Sequence, residues 1–213
     1  KNIFFNYGNN KKDIIQNLSI NIKKNNCYGI IGASGAGKTT LVDVILGLLI
    51  PKNGEIYVDS KKIDLNLIKN YRKIFSYIPQ TCFLTNDSIQ NNIILNKENF
   101  DEKLFKSALK NSEIEDFIFS LEKKEMTFVG DRGSNLSGGQ RQRIGIARAL
   151  YNNSNFLIFD EATNALDAHT EEKILKTIFL LQNKTKIIIS HKLKNLKYCD
   201  EIIVIDKGLI KFQ

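Results

Sequence analysis

The sequence is poor in the residues that staple small secreted domains, and none of its apolar runs is long. Its three cysteines, Cys27, Cys82 and Cys199, are odd in number, far apart along the chain and without CxxC spacing. That pattern argues against a disulfide framework or a zinc site and favours packed thiols in a reducing cytosol. The longest mostly apolar stretch, residues 41–50, contains an aspartate and is much shorter than the roughly 20 residues of a membrane-spanning helix. We therefore predict no membrane-spanning segment within these residues.

Negative charge is also scarce, because 23 acidic residues face 31 lysines and arginines, for a formal net charge of +8. Such an excess is typical of proteins that bind nucleic acids or membrane surfaces. Here the excess is almost entirely lysine spread along the chain, and three of the few arginines (Arg141, Arg143 and Arg148) share one helical run. We interpret the charge as a solvated surface and expect no nucleic-acid partner.

Short β-type runs alternate with helical patterns, which predicts an α/β fold. The strand patterns lie at residues 3–7, 18–22, 27–31, 55–58, 75–78, 156–159, 186–190 and 202–205, and the helical patterns at 38–49, 88–95, 101–109, 114–121, 139–150 and 170–181. Continuous apolar runs such as FLIF and KIIIS suit strands buried on both faces of a parallel sheet, whereas the earliest strands alternate and suit an antiparallel flank. We predict one domain, with a core from residues 1–76 and 151–213 and an inserted helical subdomain at about 77–150.

Both ends of the sequence are abrupt. It begins with Lys1 directly before an apolar strand pattern, without a methionine or a signal sequence, and it stops at Gln213 straight after GLIKF. We interpret the chain as part of a longer polypeptide.

A phosphate-binding loop follows the apolar strand at 27–31. The segment reads Gly32, Ala33, Ser34, Gly35, Ala36, Gly37, Lys38, Thr39, with Thr40 after it. This matches GxxxxGK[ST] without deviation, and it lies between a strand and a helix, as such loops do. Backbone N–H groups would face phosphate oxygens, Lys38 would reach the β- and γ-phosphates, and the Thr39 hydroxyl would hold Mg²⁺. The pattern indicates a nucleoside triphosphate.

Two further patterns add to this chemistry. FLIFDE is an apolar strand that ends in Asp160 and Glu161, and in phosphate-loop NTPases an aspartate at such a place helps to hold Mg²⁺. Glu161 follows directly and could orient a water towards the γ-phosphate; the alternative is that both carboxylates cap the next helix. LSGGQ, at residues 136–140, is a Ser-Gly-Gly turn before a helical run, which makes a second anion-binding site.

Together these motifs resemble the nucleotide-binding domain of ABC transporters over essentially the whole chain, with residues 1–76 and 151–213 as its ATP-binding core. The resemblance implies that Tyr7 stacks on adenine, that Gln80 contacts Mg²⁺ and the attacking water, and that His191 contacts the γ-phosphate. It makes Glu161 the catalytic glutamate that polarises the water, with Lys38, Gln80 and His191 also catalytic. It makes Thr39, Gln80 and Asp160 the Mg²⁺ set. The signature comprises Leu136, Ser137, Gly138, Gly139 and Gln140, and the D-loop comprises Ala165, Leu166 and Asp167.

In this family two domains face each other head to tail. The resemblance implies that each ATP lies between the phosphate loop of one copy and the signature of the other, in a homodimer or pseudo-dimer. It also implies coupling helices of a transmembrane domain as partners, and a place at the cytoplasmic face of the cell membrane.

Two segments resemble exporters in particular, namely 87–93 (DSIQNNI) and 127–133 (TFVGDRG). Asp131 stands where glutamate is commoner in the family, and Asn164 replaces a frequent serine, with no consequence that the sequence reveals. Two further stretches, GLLIPKNGEI and QRIGIARALYNN, are most similar to flippases of lipid-linked oligosaccharides or polysaccharides, although other exporters share much of this pattern.

One alternative is an ATPase of DNA repair or chromosome maintenance, which carries the same signature. Those chains place a long coiled coil between the phosphate loop and the signature, and no sustained heptads separate Lys38 from Ser137 here. A translation-factor ATPase would need two such cassettes, and a regulatory module that does not hydrolyse ATP would not need Lys38, Asp160, Glu161 and His191 intact. The sequence favours an exporter ATPase.

Overall fold

The computed structural model describes residues 1–8, 13–64, 66–95 and 99–212. It divides the chain into two units, which we call unit 1 (Lys1–Phe75 and Asn183–Gln213) and unit 2 (Ser76–Gln182). None of the described helices is both long and apolar enough to cross a membrane.

Unit 1 is built on parallel strands. Its elements are β1 (Ile3–Phe5), β2 (Ile15–Leu18), β3 (Cys27–Ile31), α1 (Lys38–Ile45), β4 (Tyr57–Val58), β5 (Lys61–Lys62), α2 (Ile68–Arg72), β8 (Thr185–Ile189), β9 (Glu201–Asp206) and β10 (Leu209–Phe212), with a 3₁₀ turn at Leu193–Leu196. The strand order is β10-β9-β3-β8. Strand β3 pairs in parallel with both β8 and β9, and β10 pairs antiparallel with β9. All five residues of β8 are buried, as continuous apolar runs in a parallel sheet require.

Two antiparallel hairpins belong to the same unit, β1 with β2 and β4 with β5. The antiparallel flank predicted from the alternating early strands is therefore present. Its second strand is not at the predicted residues 18–22 but at Ile15–Leu18. The register shifts along this pair, and Asn17 has a φ of 46°, so a bulge redirects the chain before the apolar alternation of Ile20 and Ile22 can pair.

Unit 2 carries most of the helices. After β6 (Phe75–Ile78), which begins at the boundary, come α3 (Ile89–Ile94), α4 (Glu102–Asn111), α5 (Glu115–Ser120), two 3₁₀ turns (Lys124–Met126 and Asp131–Gly133), α6 (Gly138–Asn152), β7 (Phe156–Asp160) and α7 (Ala168–Leu180). Side chains cap four of these helices: Ser88, Asp101, Ser137 and Asp167 each accept a hydrogen bond from a backbone N–H of the first turn, which replaces a bond that a helix start otherwise lacks.

The helical patterns of the sequence mark this unit well, because each predicted helix overlaps an observed one. Strands β6 and β7 are neighbours, and no strand separates them among the described residues of unit 2. The predicted fold class is confirmed: the chain is α/β with a mostly parallel sheet, an antiparallel flank and a helix-rich segment. The subdomain limits proposed from the sequence stay a prediction.

The three cysteines are free thiols. Cys27 starts β3, and its Sγ lies 3.5 Å from the Sγ of Cys199, although 172 positions separate the two residues. The hydrogen bond with Cys27 and burial raise the pKa of Cys199. Burial likewise raises the pKa of Cys82 in unit 2, so both of these thiols favour the protonated form.

Candidate functional site

The phosphate loop connects β3 to α1 in unit 1. Helix α1 begins at Lys38, and Gly37 at its N-cap has a φ of 102°, a conformation that glycine adopts without strain. The Lys38 ammonium donates to the backbone oxygens of Gly32 (2.9 Å) and Ala33 (3.0 Å), so it is held over the loop although its side chain is buried. A cation beside the open N–H groups of a helix start attracts phosphate oxygens.

Tyr7 lies beside the start of the same helix. Its hydroxyl is 3.2 Å from Oγ1 of Thr40, and its ring makes an edge contact with Phe5, the centroids being 4.9 Å apart. The ring is 54% exposed. Two contacts therefore hold an aromatic ring that still offers surface for stacking on a base.

His191 emerges at the same edge of the unit 1 sheet as the loop. Strands β3 and β8 run in parallel with Ile30 opposite Ile189. Two positions after these paired residues the chain reaches Gly32 in one case and His191 in the other. The amide of Asn195 donates to the Ser190 hydroxyl at 3.3 Å, and this buried bond pins the turn that carries the histidine. The sequence did not single out Ser190 or Asn195, because a serine and an asparagine five residues apart carry no motif.

In unit 2, the two carboxylates predicted at the end of β7, those of Asp160 and Glu161, have different hydrogen-bond partners. Asp160 is 3% exposed, and its Oδ2 accepts a hydrogen bond from the Tyr77 hydroxyl at 3.2 Å. Glu161 lies one residue further, and its Oε2 accepts from Gln80 Nε2 at 3.2 Å and from Asn164 Nδ2 at 3.0 Å. The structure thus brings together Gln80 and Glu161, which are 81 positions apart.

The signature and the D-loop also meet in unit 2. A Cβ added to Gly139 would lie 3.2 Å from the backbone oxygen of Ala165, so a glycine allows this close approach. Ser137 and Gln140 cap α6 reciprocally: Ser137 Oγ accepts from the Gln140 N–H at 3.2 Å and Gln140 Oε1 accepts from the Ser137 N–H at 2.8 Å. The Gln140 of the signature therefore orders the helix start that carries the serine and glycines.

The D-loop ends in a second cap. Asp167 accepts a hydrogen bond from the backbone N–H of Thr170 at 3.0 Å, and this bond holds the pKa of the aspartate below its usual value. Asp167 is exposed.

Helix α6 supports the segment that carries Gln80. The Gln142 amide is 3% exposed and donates to the Pro79 backbone oxygen at 3.0 Å. Neither this residue nor Tyr77 was predicted as part of the site; a polar residue on the apolar face of α6 was the signal that could have found Gln142.

The two exporter-like segments pair with each other. Ile89 N–H donates to Thr127 O and Val129 N–H to Asp87 O, both at 3.0 Å, with an antiparallel bridge between Ser88 and Phe128. The side chain of Phe128 is 60% exposed. Two stretches that are about 40 positions apart in the sequence therefore form one local structure.

A family model for the ABC transporter matches residues 15–164. The chain belongs to the ABC transporter family. It is similar to the leukotoxin translocation ATP-binding protein LktB of Mannheimia glucosida, at 41% identity over 99% of this chain and 30% of that protein. The alpha-hemolysin translocation ATP-binding protein HlyB of Proteus vulgaris matches at the same identity and coverage.

A solved structure, that of a bacterial Atm1-family ABC exporter with ATP bound, matches with a TM-score of 0.92 and 35% identity, over 98% of this chain and 37% of that one. The predicted resemblance to the ABC transporter family is confirmed, and the matched proteins are named as translocation ATP-binding proteins and an ABC exporter. The chain spans only about a third of the length of the proteins it matches.

Proposed function

We propose that this domain binds and hydrolyses ATP to drive export through a transmembrane partner. In unit 1, residues 32–40 hold the phosphates, with Lys38 neutralising their charge, while Tyr7 stacks on the adenine and His191 contacts the γ-phosphate. The support is local: the ammonium is held at the loop, the tyrosine ring is anchored at its hydroxyl, and the histidine leaves its strand in register with the loop.

The donors proposed for Mg²⁺ are the hydroxyl of Thr39, the amide oxygen of Gln80 and the carboxylate of Asp160. All three are oxygen ligands, which suit this cation, and Asp160 is positioned by its hydrogen bond from Tyr77. Bound Mg²⁺ would neutralise charge on the phosphate oxygens. The protein's own part is to hold these oxygens at the ends of fixed elements.

Glu161 is proposed as the residue that orients the attacking water and accepts its proton. The observation that carries this role is the hydrogen bond between Gln80 and Glu161, because it joins the two residues that the family pattern assigns to the water. Positioning and electrostatics supply most of the acceleration in phosphoryl transfer, so a carboxylate held by amide donors is suited to the task.

The complete site is proposed to need two copies. Ser137 and Gly138, which are exposed, and the partly buried Gly139 form a helix start that is ordered by its own capping box. The proposal assigns this anion-binding helix start to the ATP of a facing copy. ATP then joins the two domains, and hydrolysis releases them. The pair would work at the cytoplasmic face of the membrane, attached to a transmembrane domain.

The cargo is proposed to be recognised by the transmembrane partner. Two relatives are named for the translocation of leukotoxin and alpha-hemolysin, which favours a toxin as cargo. The lipid-linked glycan suggested by two sequence stretches stays a prediction.

A complementation experiment tests the shared site. Lys38→Ala removes the phosphate-loop cation, and Ser137→Arg blocks the signature, so each homodimer should be inactive. Co-expression with two different affinity tags isolates the mixed dimer, in which one of the two composite sites has both halves intact. We expect about half of the wild-type ATPase activity in that dimer, because its symmetry leaves one site of two. A mixed dimer as inactive as its parents would contradict the shared site.

A further inference from the structure

The turn after β7 places an asparagine on the proposed catalytic carboxylate. Glu161 has a φ of 51°, in the left-handed region that costs energy for a residue other than glycine. The N–H of Asn164 donates to the backbone oxygen of Glu161 at 3.1 Å, and its side-chain Nδ2 donates to Glu161 Oε2 at 3.0 Å. Asn164 therefore closes the turn through its backbone and also holds the side chain of Glu161, the first residue of the turn.

Two amide donors from different segments converge on one carboxylate oxygen. Gln80 reaches Glu161 Oε2 from the segment after β6, and Asn164 reaches the same oxygen from the turn itself. Two hydrogen bonds to one carboxylate oxygen restrict the rotamer of the side chain. A residue that orients a water needs this restriction, because its carboxylate must point at the water.

A purely turn-forming role would not require this bond. Asparagine is common in turns because its side chain bonds nearby backbone groups, whereas here Nδ2 bonds a side-chain carboxylate. Asn164 is exposed, so water could satisfy its amide, and burial does not force the contact. The preference for Glu161 comes from the geometry of the turn and from charge.

We propose that Asn164 is a positioning residue that, together with Gln80, holds the Glu161 carboxylate in the orientation needed for hydrolysis. This inference rests on the proposed function, because it acts through the catalytic role of Glu161. The family frequently has serine at position 164, and the sequence alone revealed no consequence of the asparagine found here. The hydrogen bond to Glu161 supplies one.

The first test uses Asn164→Leu, which keeps the size of the side chain and removes the donor, in the intact protein that carries this domain. We expect kcat for ATP hydrolysis to fall roughly tenfold, as for one lost charge-assisted hydrogen bond, and KM for ATP to stay within about twofold. The matched control is Asn111→Leu, which removes an amide on α4 whose partner is Ser107, and it should leave both constants unchanged.

The second test is Asn164→Asp, an isosteric change that replaces the Nδ2 donor beside Glu161 Oε2 with an oxygen. Because an oxygen cannot donate this hydrogen bond, kcat should fall at least as far as in Asn164→Leu, again with KM for ATP within about twofold of wild type. A wild-type kcat in Asn164→Asp would overturn the inference.

A double-mutant cycle separates this inference from the proposed function. If Asn164 acts through Glu161, Asn164→Leu should not lower further the residual turnover of Glu161→Gln. A full tenfold loss in that background would show that Asn164 acts elsewhere and would overturn the inference alone. Wild-type turnover in Glu161→Gln would instead overturn the proposed function.

Discussion

Arg148 of α6 connects α3 to the segment that follows Gln80. Its Nε donates to the backbone oxygen of Asn92 at 2.7 Å, and its Nη1 donates to the backbone oxygen of Phe83 at 3.0 Å. Burial lowers the pKa of Arg148, but a guanidinium remains charged at any ordinary pH. We predict that Arg148→Met, which keeps an unbranched apolar stem and loses the donors, destabilises the protein substantially.

The magnitude follows from the two carbonyls that lose their partner. A hydrogen bond to a charged group contributes about 1.5–3 kcal/mol. Asn92 is fully buried, so its carbonyl loses the whole bond, whereas Phe83 is exposed and water can replace part of the other one. The expected loss is about 3 kcal/mol, which corresponds to a fall in melting temperature of roughly 6–12 °C for a chain of this size.

Thermal unfolding followed by circular dichroism measures this loss. Arg148→Lys should recover part of the stability, because an ammonium keeps the charge but lacks the fork that serves both carbonyls. The matched control is Arg132→Met, which makes the same chemical change at an exposed position and should shift the melting temperature by about 2 °C or less. A melting temperature for Arg148→Met that equals the control would refute the reasoning.

Three smaller predictions concern single groups. The hydrogen bond from the Thr170 N–H lowers the pKa of Asp167. The ionised carboxylate therefore stabilises the fold above its ordinary pKa of 3.8, and this stabilisation is lost as the pH falls below that value. The difference in unfolding free energy between wild type and Asp167→Ala should shrink between pH 5 and about pH 3. The hydrogen bond with Cys27 and burial raise the pKa of Cys199. Iodoacetamide should therefore label Cys199 much more slowly in the folded protein at pH 8 than in urea, as measured by mass spectrometry. Equal labelling rates would contradict the packing of this thiol. Tyr77→Phe removes the hydrogen bond to Asp160 and should raise the Mg²⁺ concentration for half-maximal ATPase activity several-fold, whereas an unchanged titration would remove Tyr77 from the site.

Much of the candidate site could be predicted from the sequence because its motifs are continuous stretches of the chain. A strand that leads into GASGAGKTT and then a helix is a continuous stretch, and so are FLIFDE and LSGGQ. Their backbone conformation is set by glycine positions and by the alternation of apolar and polar residues, which act over a few residues. The helix starts were equally local, since Ser88, Asp101, Ser137 and Asp167 cap the helices that follow them.

The misplaced second strand shows where local patterns fail. Residues 18–22 alternate well, but strand pairing needs a partner in register, and the bulge at Asn17 places the pairing at Ile15–Leu18. The residues that contact the candidate site residues could not be predicted from the sequence either. Tyr77 and Gln142 carry no motif, and their roles depend on side chains meeting over long stretches of chain.

The sequence by itself determined the family and the α/β class, and it supplied the residues proposed to bind phosphate, because each depends on short motifs whose geometry is encoded in neighbouring residues. Only the tertiary structure decided which groups support them: the second amide on Glu161, the tyrosine on Asp160, and two thiols 3.5 Å apart from distant parts of the chain. The reason is physical: hydrogen bonds and packing act between atoms that the fold brings within a few ångströms. The separation of two residues along the sequence does not predict whether the fold brings them that close.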